Sequence, residues 1–265
     1  MLAAPGCASR GDVAATVAKT AGMDARIVAT DRFDILSYQR TRNAGSPLTV
    51  YIEGDGYAWV TPSRPSTDPT PKDPIALRLA AADPAANAGW LARPCQYTGG
   101  AGARGCNELF WTEGRYAEDV VAATAQAIDR MKAEAGAARL RLVGYSGGGA
   151  IAALVAARRR DVDLLVTVAG MLDGEAWARS EGLTPLWRSL DPARATTALA
   201  GIRQIHFIGA DDRDIPASVA RAFAERFGAG HAPPVVEVAG QDHRCCWTAI
   251  WPSLLARAER EARLP

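Results

Sequence analysis

Residues 139–149 read Arg-Leu-Arg-Leu-Val-Gly-Tyr-Ser-Gly-Gly-Gly, and this stretch decides the fold. The apolar run 139–145 predicts a β-strand, and the Ala-rich run Ala150–Arg160 predicts an α-helix. At their junction, residues 144–148 match Gly-x-Ser-x-Gly in the strand–turn–helix setting of a nucleophile elbow, whose strained turn lifts the serine hydroxyl clear of the sheet. The glycines on either side leave room where a Cβ would crowd the turn. Ser146 is therefore the predicted nucleophile.

The same glycines also match a dinucleotide-binding fingerprint. Residues 147–152 fit Gly-x-Gly-x-x-Ala after a strand. That fingerprint requires an acidic residue at the end of the next strand, whereas the predicted strand Leu164–Ala169 runs on into Gly170-Met171. The match also lies in mid-chain and not in the first βα unit. We therefore expect no dinucleotide here.

Strand-like and helix-like segments alternate on both sides of this stretch. The further predicted strands are Arg26–Thr30, Phe33–Arg40, Leu48–Glu53, Gly89–Arg93, Leu164–Ala169, Gln204–Gly209 and Val235–Ala239. The further predicted helices are Glu118–Met131, Pro216–Phe227 and Trp247–Arg263. Strands joined by single helices predict right-handed βαβ crossovers and a mostly parallel sheet flanked by helices. Two long loops, 57–73 and 95–114, follow strand carboxyl ends, where open α/β sheets bind ligands.

Length and composition fit one globular α/β domain. The 265 residues are 48% hydrophobic and 22% charged, with 30 basic and 29 acidic side chains. A net charge of +1 gives no reason to expect nucleic acid or an anionic membrane as a partner. No run of 18 apolar residues predicts a transmembrane helix. Because no Ser/Gly linker divides the chain, we predict an N-terminal segment with a short helix over 1–25 and a single domain over 26–265.

A nucleophilic serine needs a base and an acid that orients the base. The chain has three histidines. His206 lies inside a predicted strand and His231 lies in a Gly/Pro-rich loop, so neither is expected to react. His243 follows the last predicted strand and precedes the closing helix, which places it on the same rim of the sheet as Ser146. His243 is the predicted base.

The acid is expected in residues 209–216, which read Gly-Ala-Asp-Asp-Arg-Asp-Ile-Pro. Three carboxylates after a strand are also typical of a solvated turn. Here, however, the chain resembles the α/β-hydrolase superfamily, in which Gly-x-x-Asp-x-x-[Val/Ile]-Pro after a strand commonly carries the triad acid. Counting from Gly209 and from Pro216 gives Asp212 both times. Asp214 is the first alternative and Asp173, after the preceding strand, is the second.

The resemblance covers residues 26–262, and the order serine, acid, histidine is also that of the superfamily. Residues 51–56, Tyr-Ile-Glu-Gly-Asp-Gly, stand where relatives often carry His-Gly-Gly or His-Gly-x. Glu53 in place of that histidine is a departure. The resemblance implies an oxyanion hole made by the backbone N–H of Gly147 with that of Asp55 or, as the alternative, of Gly56. The stretch 170–203 is too short for a large cap domain.

The amino terminus bears on localisation. Residues 1–7, Met-Leu-Ala-Ala-Pro-Gly-Cys, have the small-residue, Cys-terminated form of the end of a bacterial lipoprotein signal, although its basic start and apolar stretch are missing. The chain also resembles a group of uncharacterised bacterial hydrolases, many of which carry lipoprotein signals. We therefore expect an exported protein, either periplasmic or anchored through a lipid at Cys7. An arbitrary chain end and a cytoplasmic protein are the alternative.

The other four cysteines are even in number and lie in loop-like sequence, which favours an oxidising compartment. Cys95 and Cys106 flank a Gly-rich stretch that can bend back on itself, and we predict a disulfide between them. Cys245 and Cys246 are adjacent. For this pair a vicinal disulfide and two free thiols both remain open.

The prediction for function is a serine hydrolase of one α/β-hydrolase domain. Ser146, His243 and Asp212 would cleave a small-molecule carboxylic ester through an acyl-enzyme. No metal or organic cofactor is expected, because no Cys/His set has the spacing of a zinc site. The alternatives are the same triad acting on a thioester or a peptide, and a catalytically silent binding protein with this fold. The sequence does not indicate an oligomeric state.

Overall fold

Ten strands occur in the computed structural model, which describes residues 9–228 and 230–262. They are β1 (Asp24–Ala29), β2 (Asp34–Thr41), β3 (Leu48–Ile52), β4 (Trp59–Thr61), β5 (Arg64–Pro65), β6 (Asn87–Leu91), β7 (Leu140–Tyr145), β8 (Val162–Val168), β9 (Gln204–Gly209) and β10 (Val235–Val238). Eight of them form one sheet in the order β1-β2-β6-β3-β7-β8-β9-β10, and β4 and β5 form a separate hairpin. In the eight-stranded sheet β2 pairs antiparallel with β1 and with β6, and every other pair of neighbouring strands is parallel. The predicted mostly parallel sheet is confirmed.

Helices cover both faces of this sheet. They are α1 (Arg10–Thr20), α2 (Ile75–Ala82), α3 (Glu118–Glu134), α4 (Gly147–Ala156), α5 (Gly174–Glu181), α6 (Thr196–Leu199), α7 (Ala217–Glu225) and α8 (Trp247–Glu261). One core layer lies under α3, α4 and α7, and the other lies under α1, α2 and α8. Residues of β3 alternate between the layers, since Val50 and Ile52 join the first and Tyr51 joins the second. A strand buried on both faces is expected for a parallel sheet with helices on each side.

The two amino-terminal elements pack on the domain. Helix α1 buries Ala14 and Ala18 in the layer that also contains α2 and α8. The predicted boundary at residue 26 falls inside β1, which begins at Asp24. Cys7, the predicted site of a lipid anchor, lies outside the described residues, so that anchor stays a prediction.

Two helices differ from the predicted elements. Helix α2 was not predicted, because it is short and follows the Pro-rich loop 57–74 closely. Helix α4 begins at Gly147, three residues before the predicted start, and ends at Ala156. Its glycines are needed because the helix end packs tightly on β3: a Cβ on Gly148 would lie 2.2 Å from the carbonyl oxygen of Ile52. Close packing here outweighs the poor helix propensity of glycine.

The connections fit a domain without a large cap. Between β8 and β9 the chain forms only the short helices α5 and α6 and a 3₁₀ turn at Pro192–Arg194. Cys95 and Cys106 are joined by the predicted disulfide, with their Cα atoms 5.7 Å apart, and Cys245 is joined to Cys246. Among residues 9–228 and 230–262, no helix has the length and apolarity needed to cross a bilayer.

Candidate active site

Ser146 occupies the tight turn between β7 and α4. Its φ of 53° and ψ of −125° are rare for a residue with a side chain. The backbone is fixed on both sides: the N–H donates to Val168 at 3.0 Å, and the carbonyl oxygen accepts from Gly149 at 2.9 Å and from Met171 at 3.0 Å. A Cβ on Gly144 would lie 2.3 Å from the carbonyl oxygen of Gly148. The turn has the strain and the glycine requirement that its sequence predicts.

The structure brings the three predicted triad residues into hydrogen-bond contact. His243 Nε2 lies 2.9 Å from Ser146 Oγ, and His243 Nδ1 lies 2.9 Å from Asp212 Oδ2. An ionised carboxylate can only accept, so Nδ1 of His243 carries the proton that points at Asp212. In a neutral imidazole Nε2 then accepts the hydroxyl proton of Ser146. This is the arrangement that a serine nucleophile with a histidine base requires.

Asp212 is held by its own loop after β9. Its Oδ1 accepts the backbone N–H of Asp214 and that of Ile215, each at 2.9 Å, and its side chain is fully buried. Both carboxylate oxygens are therefore engaged, one by the loop and one by His243. Asp212 is the partner of His243 because the two backbone hydrogen bonds to Oδ1 hold the carboxylate with Oδ2 facing the imidazole.

The two alternative acids lie elsewhere. Asp214 donates its backbone N–H to Asp212, and its own carboxylate is exposed and lies 3.7 Å from the guanidinium of Arg244. Asp173 caps the amino end of α5 and pairs with Arg226 at 2.8 Å. Of these carboxylates, the one that contacts His243 in the structure is that of Asp212.

The loop that carries His243 is braced by neighbouring side chains. Tyr145, the residue before Ser146, donates its hydroxyl to the carbonyl oxygen of His243 at 2.8 Å. Asp242 Oδ1 accepts from the backbone N–H groups of Arg244 and Cys245, and the Asp242 carbonyl oxygen accepts from Trp247 Nε1 at 3.0 Å. The imidazole is therefore held by its loop as well as by Asp212.

His206 has a structural place, as its position in a strand predicts. It is fully buried in β9, and its Nδ1 lies 2.9 Å from the hydroxyl of Thr167 on β8. Burial lowers the pKa of His206 from 6.5 to about 3. The ring is therefore neutral at physiological pH, and its hydrogen bond to Thr167 lies inside the sheet.

Glu53, which stands where the resemblance implies a histidine, is buried directly after β3. Its Oε1 accepts the backbone N–H of Gly54 at 3.0 Å and that of Ala76 in α2 at 3.4 Å, while Oε2 accepts from Trp90 Nε1 at 3.0 Å. Burial raises the pKa of Glu53 to about 7, although these donors pull it down. Because Gly54 gives its N–H to Glu53, the next N–H groups of the turn, those of Asp55 and Gly56, are the candidates for the predicted oxyanion hole.

The carboxylate of Asp55 is bound by three donors. Oδ1 accepts from Arg93 at 2.9 Å, and Oδ2 accepts from Arg115 at 3.1 Å and from the hydroxyl of Tyr116 at 3.0 Å. Burial alone would raise the pKa of Asp55, but the guanidiniums of Arg115 and Arg93 lower it below its ordinary value. A Cβ on Gly147 would lie 2.0 Å from Asp55 Oδ1, so the carboxylate packs directly against the first residue of α4.

A disulfide-closed loop supports the same turn. Gln96 Nε2 donates to the carbonyl oxygen of Gly54 at 2.9 Å, and Gln96 Oε1 accepts the backbone N–H of Arg93 at 3.1 Å. Cys95, which is bonded to Cys106, lies between Arg93 and Gln96 in the sequence. Arg93 and Gln96 follow β6 at its carboxyl end, and that position was the available sequence signal for them. Arg115 and Tyr116 lie in the long loop before α3, where no motif distinguishes them.

Ser146 and His243, two of the three hydrogen-bonded side chains, lie at a cleft of about 430 Å³ whose walls combine charged and apolar side chains. Its lining includes Ser146 and His243 and also Glu53, Tyr57, Lys72, Asp214 and Arg244. A cavity of about 490 Å³ lies between α4 and the chain around Trp187, but Ser146, His243 and Asp212 are not part of its wall. We place the candidate site in the smaller cleft, because the hydrogen-bonded groups line it. Within the described part of the chain, no three His, Cys, Asp or Glu side chains are grouped as metal ligands would be.

Comparison with known proteins gives matches in structure alone. No family model matches the sequence, and no curated protein does. An esterase from Pyrococcus furiosus matches with a TM-score of 0.63 at 11% identity, over 92% of this chain and 93% of that one. A serine hydrolase without a lid from Xanthomonas campestris matches with a TM-score of 0.56 at 14% identity, over 92% and 95%.

A puromycin-hydrolysing peptidase from Mycobacterium tuberculosis also matches, with a TM-score of 0.64 at 16% identity. The match covers 92% of this chain but 40% of the peptidase. At identities this low, structural similarity shows a shared fold but does not indicate a shared substrate. Together with the strand order, the flanking helices and the absence of a large cap in the described residues, these matches show that the chain has the α/β-hydrolase fold.

Proposed function

We propose that the protein is a serine hydrolase that cleaves carboxylic esters through an acyl-enzyme. The observation that carries the proposal is the continuous hydrogen-bonded chain from Ser146 Oγ through the His243 imidazole to Asp212 Oδ2, with both links 2.9 Å long. Three side chains from three different loops meet in this way at the carboxyl edge of a parallel sheet, where α/β folds bind their ligands. A silent binding protein has no need for that alignment.

The first half of the reaction follows from these contacts. Ser146 Oγ attacks the carbonyl carbon of the ester while His243 Nε2 takes the hydroxyl proton. A tetrahedral intermediate forms, with a negative charge on the former carbonyl oxygen. As it collapses, the bond to the alcohol oxygen breaks and His243 gives its proton to the departing alcohol. Asp212 keeps the imidazole in the required tautomer and stabilises its charged form.

In the second half, water replaces the alcohol. His243 takes a proton from the water, whose oxygen attacks the acyl carbon, and the second intermediate collapses to release the acid and restore Ser146. The negative oxygen of each intermediate would be bound by the backbone N–H of Gly147, at the positive end of α4, and by that of Asp55. Gly54 is unsuited because its N–H donates to Glu53.

An ester is proposed over a thioester or a peptide on the size and accessibility of the cleft. The cleft has a volume of about 430 Å³, and no large cap covers it in the described part of the chain, so it suits a small substrate with an exposed leaving group. An alcohol also leaves more readily than an amine, so the three hydrogen-bonded side chains are enough to cleave an ester, whereas a peptide would need further groups to position it. The esterase and the peptidase among the structural matches represent the two possibilities.

The test is a hydrolysis screen with the purified protein. The substrates are p-nitrophenyl esters of graded chain length, a matched thioester and a matched anilide, with the Ser146→Ala variant beside each. We expect turnover of the short esters, at least tenfold lower kcat/KM for the anilide, and loss of turnover in Ser146→Ala. Equal turnover by the variant would contradict the triad, and a preference for the anilide would replace the esterase proposal by a peptidase.

A further inference from the structure

A buried cluster of charges joins the two segments that would bind the oxyanion. It consists of the Asp55 carboxylate and its donors Arg93, Arg115 and Tyr116. The side chains of Arg93 and Arg115 are 5% and 12% exposed, and that of Asp55 is 17% exposed. Arg93 also donates to the carbonyl oxygen of Arg115, so the donors are tied to each other. Ion pairs as enclosed as these have strict geometry, because an unpaired partner would be a buried charge.

The cluster sets the distance between the turn after β3 and the start of α4. The carboxylate fills the space beside Gly147, where a Cβ would come within 2.0 Å of Oδ1. On the other side of the turn, a Cβ on Gly54 would lie 3.2 Å from the Cβ of Ser146. Moving Asp55 would therefore move its own backbone N–H relative to the N–H of Gly147. A displacement of a fraction of an ångström is enough to weaken a hydrogen bond to a reacting oxygen.

The charges of the cluster also suit its place. A lone carboxylate beside the site of a developing oxyanion would repel it. Two guanidiniums around one carboxylate leave a net positive charge, and low exposure limits the screening by solvent. Tyr116 adds a neutral donor without changing that balance.

We propose that Arg93, Arg115 and Tyr116 are positioning residues for the oxyanion hole, because they hold the Asp55 carboxylate against Gly147. This inference rests on the proposed function. It assigns to these side chains an effect on the tetrahedral intermediate and none on the binding of the substrate. Removing one oxyanion donor outright costs about 10²–10³-fold in kcat. Misplacing a donor by loss of its support should cost less than that.

The experiment measures kcat and KM for the best p-nitrophenyl ester in Arg115→Gln, Arg115→Lys and Tyr116→Phe. Active-site concentration is taken from end-point labelling of Ser146 with a fluorophosphonate, so unfolded protein does not count. We expect kcat to fall about 10–100-fold in Arg115→Gln and about 3–10-fold in Tyr116→Phe, with KM within twofold of the wild type. Arg115→Lys, which keeps the charge, should recover much of the loss. The affinity for phenylboronic acid, a tetrahedral mimic, should fall in parallel with kcat.

Arg159→Gln is the matched control. Arg159 is also 12% exposed and pairs with Asp129 and Asp161, which lies just before the amino end of β8, at the opposite edge of the sheet. It should lose stability as Arg115→Gln does but keep kcat. If Arg115→Gln does not fold, Tyr116→Phe, which removes one hydroxyl, decides the question.

Unchanged kcat per labelled site in the cluster variants, or a rise in KM alone, would overturn the inference while leaving the hydrolase intact. A wild-type protein that neither hydrolyses esters nor becomes labelled would overturn the proposed function itself. The two failures are therefore distinguishable.

Discussion

Replacing Glu53 by Gln should change how stability depends on pH. Glu53 is 1% exposed, and burial raises its pKa from 4.5 to about 7. Between these values the folded protein keeps the proton and the unfolded chain has lost it, so the free energy of unfolding falls as the pH rises. At about 1.4 kcal/mol for each pH unit, the loss between pH 4.5 and 7 comes to about 3 kcal/mol.

The variant has a second, pH-independent effect. A glutamine can still accept from the backbone N–H of Gly54, but its NH₂ group cannot accept from Trp90 Nε1, which donates to Glu53 Oε2 in the wild type. A buried donor without a partner costs about 1–3 kcal/mol. Glu53→Gln is therefore expected to be the less stable protein at low pH and to lose its disadvantage as the pH rises.

The assay is urea unfolding of wild type and variant at half-unit steps from pH 4 to pH 8.5, in a buffer of constant ionic strength. Subtracting one curve from the other removes the contributions of all other titrating groups. We expect the difference to shift by about 3 kcal/mol in favour of the variant between pH 4.5 and 7, and to be level on either side. A difference that stays constant over the whole range would refute the account of Glu53 as a carboxyl group that burial keeps protonated.

Three further variants test other parts of the structure. Burial lowers the pKa of His206 to about 3, so the free energy of unfolding of the wild type falls by up to about 5 kcal/mol as the pH drops from 6.5 toward 3. His206→Gln should remove this loss of stability in acid, which is opposite in direction to the effect of Glu53. Acid unfolding followed by circular dichroism should show a shallower transition in that variant. Asp212→Asn should lower kcat by about 10³–10⁴-fold, whereas Asp214→Asn, whose carboxylate does not contact the imidazole, should keep kcat within about tenfold; the reverse order in an ester assay would assign the acid to Asp214. Gly147→Ala should abolish turnover and lower the melting temperature, because its Cβ would meet Asp55 Oδ1 at 2.0 Å; an active variant would contradict the packing described here.

Local pattern, together with the resemblance, was enough to predict the sheet and the three side chains that form the hydrogen-bonded chain at its edge. The strand Gln204–Gly209 was predicted to the residue. Ser146 was predicted from its motif at a strand end and His243 from its place after the last strand, whereas the choice of Asp212 among three carboxylates came from the resemblance to the α/β-hydrolase superfamily. In a parallel sheet a place at the carboxyl end of a strand brings such residues to one edge. A sequence motif that coincides with a strand end therefore carries three-dimensional information.

The support around the triad was not predictable in the same way. Arg115 and Tyr116 reach Asp55 from a long loop without periodicity, and their contact spans about sixty residues of sequence. Glu53 looked only like a departure from the relatives, because its partners Ala76 and Trp90 belong to elements that it meets through the fold. Tertiary contacts of single side chains leave no pattern in the chain, so they had to be read from the structure.

The central claim is that Ser146 is a nucleophile activated by His243. Peptide mapping by mass spectrometry after exposure to a fluorophosphonate tests it most directly, with His243→Ala and Ser146→Ala treated in parallel. The account predicts one adduct per chain, on the peptide that contains Ser146, with labelling much slower in His243→Ala and absent in Ser146→Ala. An unlabelled wild-type protein, or an adduct that persists on another residue in Ser146→Ala, would contradict it.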